Sequence, residues 1–187
     1  MQGELLSALL DLVRNRFFGK YRGTVKGNDD KTKRGRLLVR VPAVLGELEV
    51  WAMPCVPYAG KEVGFFALPE AETGVWVEFE GGDPSFPIWS GFFWADKELP
   101  GESKAAMKIL RTKAITMKLD DDGEEWSLES TKGADAKLSD SITLETESAS
   151  VTIDDGVTAE AGASAKTELT ESELSVHDGA LKVAVLG

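Results

Sequence analysis

Cysteine and histidine occur once each in the 187 residues, as Cys55 and His177. One cysteine excludes an intrachain disulfide, and a single histidine beside it excludes a zinc-spaced Cys/His set. There is no phosphate-cradling glycine–lysine loop and no nucleophile elbow, so a catalytic reading has little to stand on, and no cofactor is called for. Cys55, flanked by Met53-Pro54 and Val56-Pro57, reads as a small apolar residue in a strand or turn; a reactive thiol wants a basic neighbour. No run approaches the ~18–20 apolar residues that span a bilayer. The first apolar stretch, Leu5 to Val13, is interrupted by Asp11 and lacks a basic leader. We therefore expect no secretory signal and synthesis as a soluble cytoplasmic product.

What is scarce overall is scarcest in the second half. All the prolines lie at or before Pro100, and beyond Trp94 the only aromatic residue is Trp126. Charge divides at the same place. Residues 1–94 carry 11 Lys/Arg against 12 Asp/Glu, whereas residues 95–187 carry 10 against 20. Two physically different objects are joined near residue 95.

Residues 4–18 place Leu5, Leu6, Leu9, Leu12, Val13 and Phe17 at helical spacings, and Gly19 supplies a stop. Such a helix packs on its own domain or docks on a partner; Leu10 and Phe18 widen its apolar face toward the second use. From Lys20 to Trp94 the pattern becomes short alternating runs. Tyr21–Val25, Arg36–Val41, Glu49–Met53, Gly64–Leu68, Val75–Phe79 and Pro87–Phe92 are expected strands, separated by turn residues such as Gly27-Asn28-Asp29-Asp30. Strands at this spacing predict a small barrel with its interior filled by aromatic side chains.

The segments Gly35-Arg-Leu-Leu-Val-Arg-Val-Pro42, Trp51-Ala-Met-Pro-Cys-Val-Pro-Tyr-Ala59, Gly64-Phe-Phe-Ala-Leu-Pro69, Gly74-Val-Trp-Val-Glu-Phe79 and Gly81-Gly-Asp-Pro-Ser-Phe-Pro-Ile-Trp-Ser-Gly91 occur in that order. Together they resemble the OB barrel of baseplate assembly protein V, the family of phage central spikes and of spikes in extracellular contractile injection systems and type VI secretion. The last segment is the most specific: its Gly/Asp turn fixes a hairpin, and Trp89 packs back on the barrel. The resemblance covers residues 20–94.

Beyond a connector at 95–114, alternation persists to the end of the chain. Ile115, Met117 and Leu119 share a face, followed by Trp126 and Leu128, Leu138, Ile142 and Leu144, Val151 and Ile153, Val157, Ala159 and Ala161, Leu169, Leu174 and Val176, and Leu181, Val183 and Val185. The intervening positions are mostly Thr, Ser, Glu, Asp and Lys, with turns at Asp120–Gly123 and Asp154–Gly156. Each strand offers one apolar stripe, no aromatics fill a two-layer core, and the edges are unprotected. Three identical chains around one axis bury the stripes and pair the edges. The resemblance implies this solution, an intertwined trimeric β-helix, with Trp126 as a buttress near its collar; a disordered acidic tail is the alternative.

The expected fold is thus all-β: an N-terminal helix (1–19), an OB barrel (20–94), a connector (95–114) and a trimeric β-helical spike (115–187). The resemblance implies a non-enzymatic central spike that attaches to a trimeric baseplate hub and pierces a target membrane on sheath contraction, as part of an assembled injection particle. Candidate hub contacts are Leu5, Leu9, Leu12, Phe17 and Phe18. Candidate contacts for a conical PAAR-like tip protein are Leu181, Val183, Val185 and Leu186. Spikes of this family can hold metal through a paired His-x-His motif; here Val176 and Asp178 flank a lone His177. Three copies of it could bind a metal on the axis only by pointing inward, and its phase in regular alternation turns it outward, so no metal site is assigned. The acidic runs Asp120–Asp122 and Asp154-Asp155 read as solvated turns. Arg22, Lys26, Lys31, Lys33, Arg34, Arg36 and Arg40 cluster in the barrel. We read the Lys31–Arg36 loop as partner-facing and expect no nucleic acid; a single-stranded nucleic-acid or glycan binding module is the alternative.

Overall fold

A computed structural model of the chain describes residues 7, 9–10, 13–101, 104–162, 165–177 and 180–184. It divides into two compact units, Met1–Leu99 and Pro100–Gly187. In the first unit Ser7, Leu9, Leu10, Val13 and Arg14 are helical. The strands follow: β1 (Tyr21–Gly27), β2 (Leu37–Arg40), β3 (Glu49–Pro54), β4 (Ala59–Gly60), β5 (Val63–Gly64), β6 (Gly74–Phe79) and β7 (Pro87–Phe92). A closed barrel runs β1-β2-β3-β7-β6 and returns to β1. Its β3–β7 pairing is parallel and its other pairings antiparallel, the five-stranded Greek-key closure of the OB fold.

Alternation decides what enters the barrel. On β6, Val75, Val77 and Phe79 point in while Trp76 and Glu78 point out. The core is Val25, Leu37, Val39, Val41, Ala52, Val75, Val77, Phe79 and Trp89. It is mostly aliphatic, which corrects the expected aromatic filling: β-branched side chains cover the pleated inner wall of so small a barrel, and Trp51 and Trp76 lie outside. Each buried Val or Leu contributes roughly 1.5–3 kcal/mol.

The Gly81-Gly82-Asp83 turn behaves as its sequence suggests. Gly81 and Gly82 take φ of 58° and 74°. The Asp83 carboxylate accepts the Ser85 N–H at 3.0 Å, and Glu80 N–H donates to the Phe86 carbonyl at 3.0 Å. The chain thereby re-enters β7 with Trp89 inward, 3% exposed, its indole N–H donating to the Gly35 carbonyl at 3.1 Å. The strand expected over Gly64–Leu68 is absent. In its place β4 and β5 form an isolated hairpin ending at Gly64, where a Cβ would lie 2.9 Å from the Tyr58 carbonyl oxygen. Phe65 N–H donates to that oxygen at 2.9 Å, one position beyond the paired residues. Proline starts a further helical turn, Pro42–Leu45, with Pro at its first position.

The second unit is one ten-stranded sheet in which each strand pairs antiparallel with the next: β8 (Met107–Arg111), β9 (Ile115–Asp120), β10 (Glu125–Ser130), β11 (Asp135–Leu138), β12 (Ile142–Thr146), β13 (Ala149–Ile153), β14 (Val157–Ala161), β15 (Ala165–Leu169), β16 (Glu173–Val176) and β17 (Leu181–Ala184). β8 begins inside the segment expected as a connector, because Lys108, Ile109 and Leu110 pair in register with Leu119, Lys118 and Met117. The expectation that partner chains must supply strand pairing changes as well: the meander pairs its strands within one chain, leaving one free side on β8 and one on β17 among the described residues.

Register sorts the two faces. Met117, Leu128, Ala136, Leu144, Val151, Ala159, Thr167, Val176 and Leu181 stand side by side from β9 to β17. A parallel row holds Leu119, Trp126, Leu138, Ile142, Ile153, Val157, Leu169, Leu174 and Val183. The opposite face carries Lys118, Ser127, Lys137, Thr143, Thr152, Thr158, Glu168, Ser175 and Lys182 in line. Diagonal ion pairs cross that face, Lys118–Glu129 at 2.6 Å, Lys137–Glu125 at 2.5 Å and Lys182–Glu173 at 2.8 Å, each worth at most about 1 kcal/mol. Ser127, between the first two, is the buried polar residue of the described chain, 7% exposed. The apolar face, by contrast, lies open: Leu144 is 55% exposed and Leu169 50%.

Trp89→Ala should therefore destabilise the barrel by about 3–5 kcal/mol. Urea unfolding followed by far-ultraviolet circular dichroism reads the loss.

Candidate functional site

The first candidate surface is where the N-terminal segment meets the Gly81–Asp83 turn. Arg16 donates to the Asp83 carboxylate at 3.0 Å and to the Gly81 carbonyl at 3.4 Å, and Phe17 N–H donates to the Gly82 carbonyl at 2.8 Å. A Cβ on Gly82 would sit 2.9 Å from the Phe18 ring and 3.1 Å from Phe17 N. Glycine is thus required twice over at this position, for its φ of 74° and for the close approach. Ser85, through its N–H and its hydroxyl, and then Arg16 hold the Asp83 carboxyl below the usual carboxylate range. Phe17 packs edge-on to Tyr21 at 6.0 Å and against Phe79 at 6.1 Å, so its ring belongs to the barrel's own wall. Phe18 is 77% exposed and Leu9 50%; Leu5 and Leu12 lie outside the described residues.

The second surface is the basic loop between β1 and β2. Its organiser is Asp30, whose carboxylate accepts Arg36 Nη2 at 2.8 Å and Nε at 3.1 Å, the Thr32 hydroxyl at 2.8 Å, and the backbone N–H groups of Thr32 at 3.0 Å and Arg34 at 2.9 Å. The Arg36 guanidinium, aided by the Thr32 and Arg34 donors, holds the Asp30 carboxyl far below the usual range. Arg36 in turn lies over the Trp51 ring at 5.2 Å. Most of the other cations are also committed. Lys26 pairs with Glu72 at 2.7 Å, Arg40 with Glu47 at 2.8 Å, and Lys31 with Asp29. Arg22 lies over Trp76 at 5.1 Å and Phe93 at 4.7 Å. The rings of Trp51, Trp76 and Phe93 are thus covered by the protein's own guanidinium groups. Lys33 and Arg34 have no carboxylate partner among the described residues.

Beside Lys33 and Arg34 the β4–β5 hairpin encloses a groove of about 430 Å³, floored by Val56, Leu68 and Trp89. Tyr58 and Phe65 stand at its exposed margin, and Phe66 is 79% exposed. Sequence reasoning missed this groove because Gly64–Leu68 alternates like a strand; the signal against that reading was Gly64 following Gly60 at hairpin spacing.

The third surface is the apolar sheet face. Leu181 and Val183 stand on it, 60% and 58% exposed; Val185 and Leu186 lie outside the described residues. Trp126 occupies the large-residue row between Leu119 and Leu138. His177 follows the end of β16 with φ of 54°, its N–H donating to the Lys166 carbonyl at 2.7 Å. The alternation that would turn it outward stops at Val176, and both residues border a concavity on this face. The acidic turns are internally engaged. Asp120 accepts the Asp122 N–H at 3.1 Å, Lys104 approaches Asp122 at 3.3 Å, and Asp154 accepts the Gly156 N–H at 3.1 Å. Among the described residues no group of three or more His, Cys, Asp or Glu could hold a metal ion, and no helix is long and apolar enough to cross a membrane.

Residues 21–94 match the family model of the type VI secretion system/phage-baseplate injector OB domain. The match begins at the first residue of β1 and extends two residues past the end of β7, so it covers the closed barrel. No curated protein matches the chain.

Two outcomes follow from this geometry. Folding lowers the Asp30 pKa, so its contribution is fully present above the ~3.9 of an unfolded aspartate and fades as pH falls below that value. Asp30→Asn should lower the unfolding midpoint at pH 7 and flatten its decline between about pH 4 and pH 2, in denaturation measured across that range. Gly82→Ala should push Phe17 and Phe18 off the turn. Trypsin should then cut after Arg14 and Arg16 several-fold faster than in the parent, as peptide mapping would record.

Proposed function

From the match of residues 21–94 to the phage-baseplate injector OB-domain model, we propose that this chain is the central spike of a contractile injection particle and works as a homotrimer. A baseplate-associated structural role comes with the OB domain itself, and with it contact to other baseplate components. The finer reading rests on one observation, the uncovered apolar face of the ten-stranded sheet. A single-layer sheet with its hydrogen bonds satisfied and one face of Leu, Ile and Val in water is an interface awaiting a partner. Cyclic symmetry covers it most simply, with copies of the same chain packing the same face around one axis.

In such a prism the ion-paired faces look outward and the aliphatic rows inward. Compression along the axis is resisted because bending any strand disrupts hydrogen bonds to both neighbours together. The barrel presents Phe18 and Leu9 toward a hub, and the β17 end, with Leu181 and Val183, toward a tip protein of the PAAR type; the target membrane is met by that end on sheath contraction. The role is mechanical, and no side chain is asked to do covalent chemistry.

Mass photometry of the full chain should give a dominant species at three times the 20.2 kDa chain mass. Leu144→Asp, which sets a charge on the middle apolar row, should shift most of the population away from that species. A parent protein that remains at 20.2 kDa would remove the reading.

A further inference from the structure

The apolar face is not uniform along its strands. Four successive strands carry a small residue at one end and a large one at the other: Thr146 and Ile142 on β12, Ala149 and Ile153 on β13, Ala161 and Val157 on β14, Ala165 and Leu169 on β15. The chain reverses at every turn, yet register keeps each kind in its own line. Thr146 pairs with Ala149, Ala149 with Ala161, and Ala161 with Ala165; Ile142 pairs with Ile153, Ile153 with Val157, and Val157 with Leu169. Two rows of opposite size thus run across the strands, four residues or about 13 Å apart. A concavity of about 640 Å³ follows the small row, bounded inward by Leu144, Val151 and Val176.

We infer that copies of this chain join through a directional contact, in which the large row of one copy seats along the small row of the next. This rests on the trimeric reading above and says how its members meet. The occupant is a second copy because every chain carries both halves of the contact at the same strand spacing. A partner of any other fold would need a side-chain row repeating every ~4.8 Å across the same strands. Like rows do not fit: small on small leaves a void, and large on large overpacks. The face from β9 to β17 offers roughly 600 Å², from ~4.8 Å per strand and ~3.4 Å per residue. The two contacts that a chain makes around the ring divide this face between them. The contact is head-to-tail, so each chain gives its large row to one neighbour and its small row to the other, and the ring closes at three.

Cysteine pairing in the full chain tests this, in a Cys55→Ser background because native Cys55 is exposed. Ala149→Cys is combined in turn with Ile142→Cys, Ile153→Cys or Val157→Cys, which allows for an axial offset of one strand in either direction. Within one chain Ala149 and Ile153 lie about 13 Å apart, well beyond disulfide reach, so a bond formed on oxidation joins two chains. Native mass is measured on the same samples. At least one pairing should convert most of the protein to a covalent trimer on a non-reducing gel, while each single variant stays uncrosslinked. A native trimer with no crosslink in any pairing overturns the row contact and leaves the trimer standing. Crosslinking by a single variant overturns it too, because a row would then meet itself. Covalent dimers alone indicate a two-sheet sandwich, which overturns both readings, as does a native monomer.

Discussion

The second unit is governed by a separation of two requirements that most domains meet together. Between its two edges its strands are hydrogen-bonded within the chain, since each strand from β8 to β17 pairs with its sequence neighbour. Its apolar face is not buried there, because a single layer has no second layer to close on. Backbone pairing fixes register, register fixes which side chains share a face, and the apolar face is left open, with Leu144 and Leu169 at least half exposed. Among the described residues the buried hydrophobic core lies in the barrel unit, and the sheet's buried residue is a serine held under ion pairs on the polar side. Each local choice is orderly, and their sum is incomplete alone.

The barrel solves the same problem by closure. Its strands curl until the inner face meets itself, and a few valines suffice to fill so narrow a space. What remains for its surface is the holding of loops. Asp30 gathers a turn, an arginine and two backbone donors onto one carboxylate, which stiffens the loop that presents Lys33 and Arg34. The Gly81–Asp83 turn does the equivalent for the N-terminal segment by accepting from Arg16 and Phe17. In both cases a short polar side chain and a permissive backbone do the positioning, which leaves larger residues such as Phe18 and Phe66 free to face outward.

How far this was legible in the sequence differs by element. The period-2 pattern of 115–183 was read strand by strand, because one-sided burial leaves an unmistakable imprint on residues such as Ile142, Leu144, Val151 and Ile153. The Gly-Gly-Asp turn was legible because the positive φ of Gly81 and Gly82 admits few residues. The aromatic filling of the barrel was not legible: alternation shows that Trp76 and Val77 face opposite ways but not which of them faces in. The β4–β5 hairpin was missed because two-residue strands are shorter than any periodicity. Asp30 was legible only as a turn residue, since its grip on Arg36 spans a loop whose path the sequence does not specify. Strand pairing within the chain, rather than between chains, was also beyond pattern reading, because alternation is identical in either case.

The acidity of the second half follows from the same geometry. An exposed antiparallel sheet risks pairing with other sheets at its edges and stacking on them at its faces. Charge guards the first hazard: β8 carries Lys108 and Arg111, and β17 carries Lys182. On the polar face the lysines are matched by carboxylates in diagonal pairs, and the surplus of Glu and Asp there leaves a net negative surface that repels its own kind. The apolar face has no such guard, and an aliphatic row cannot discriminate by charge. What distinguishes one end of this face from the other is size, alanine at one end of β15 and leucine at the other.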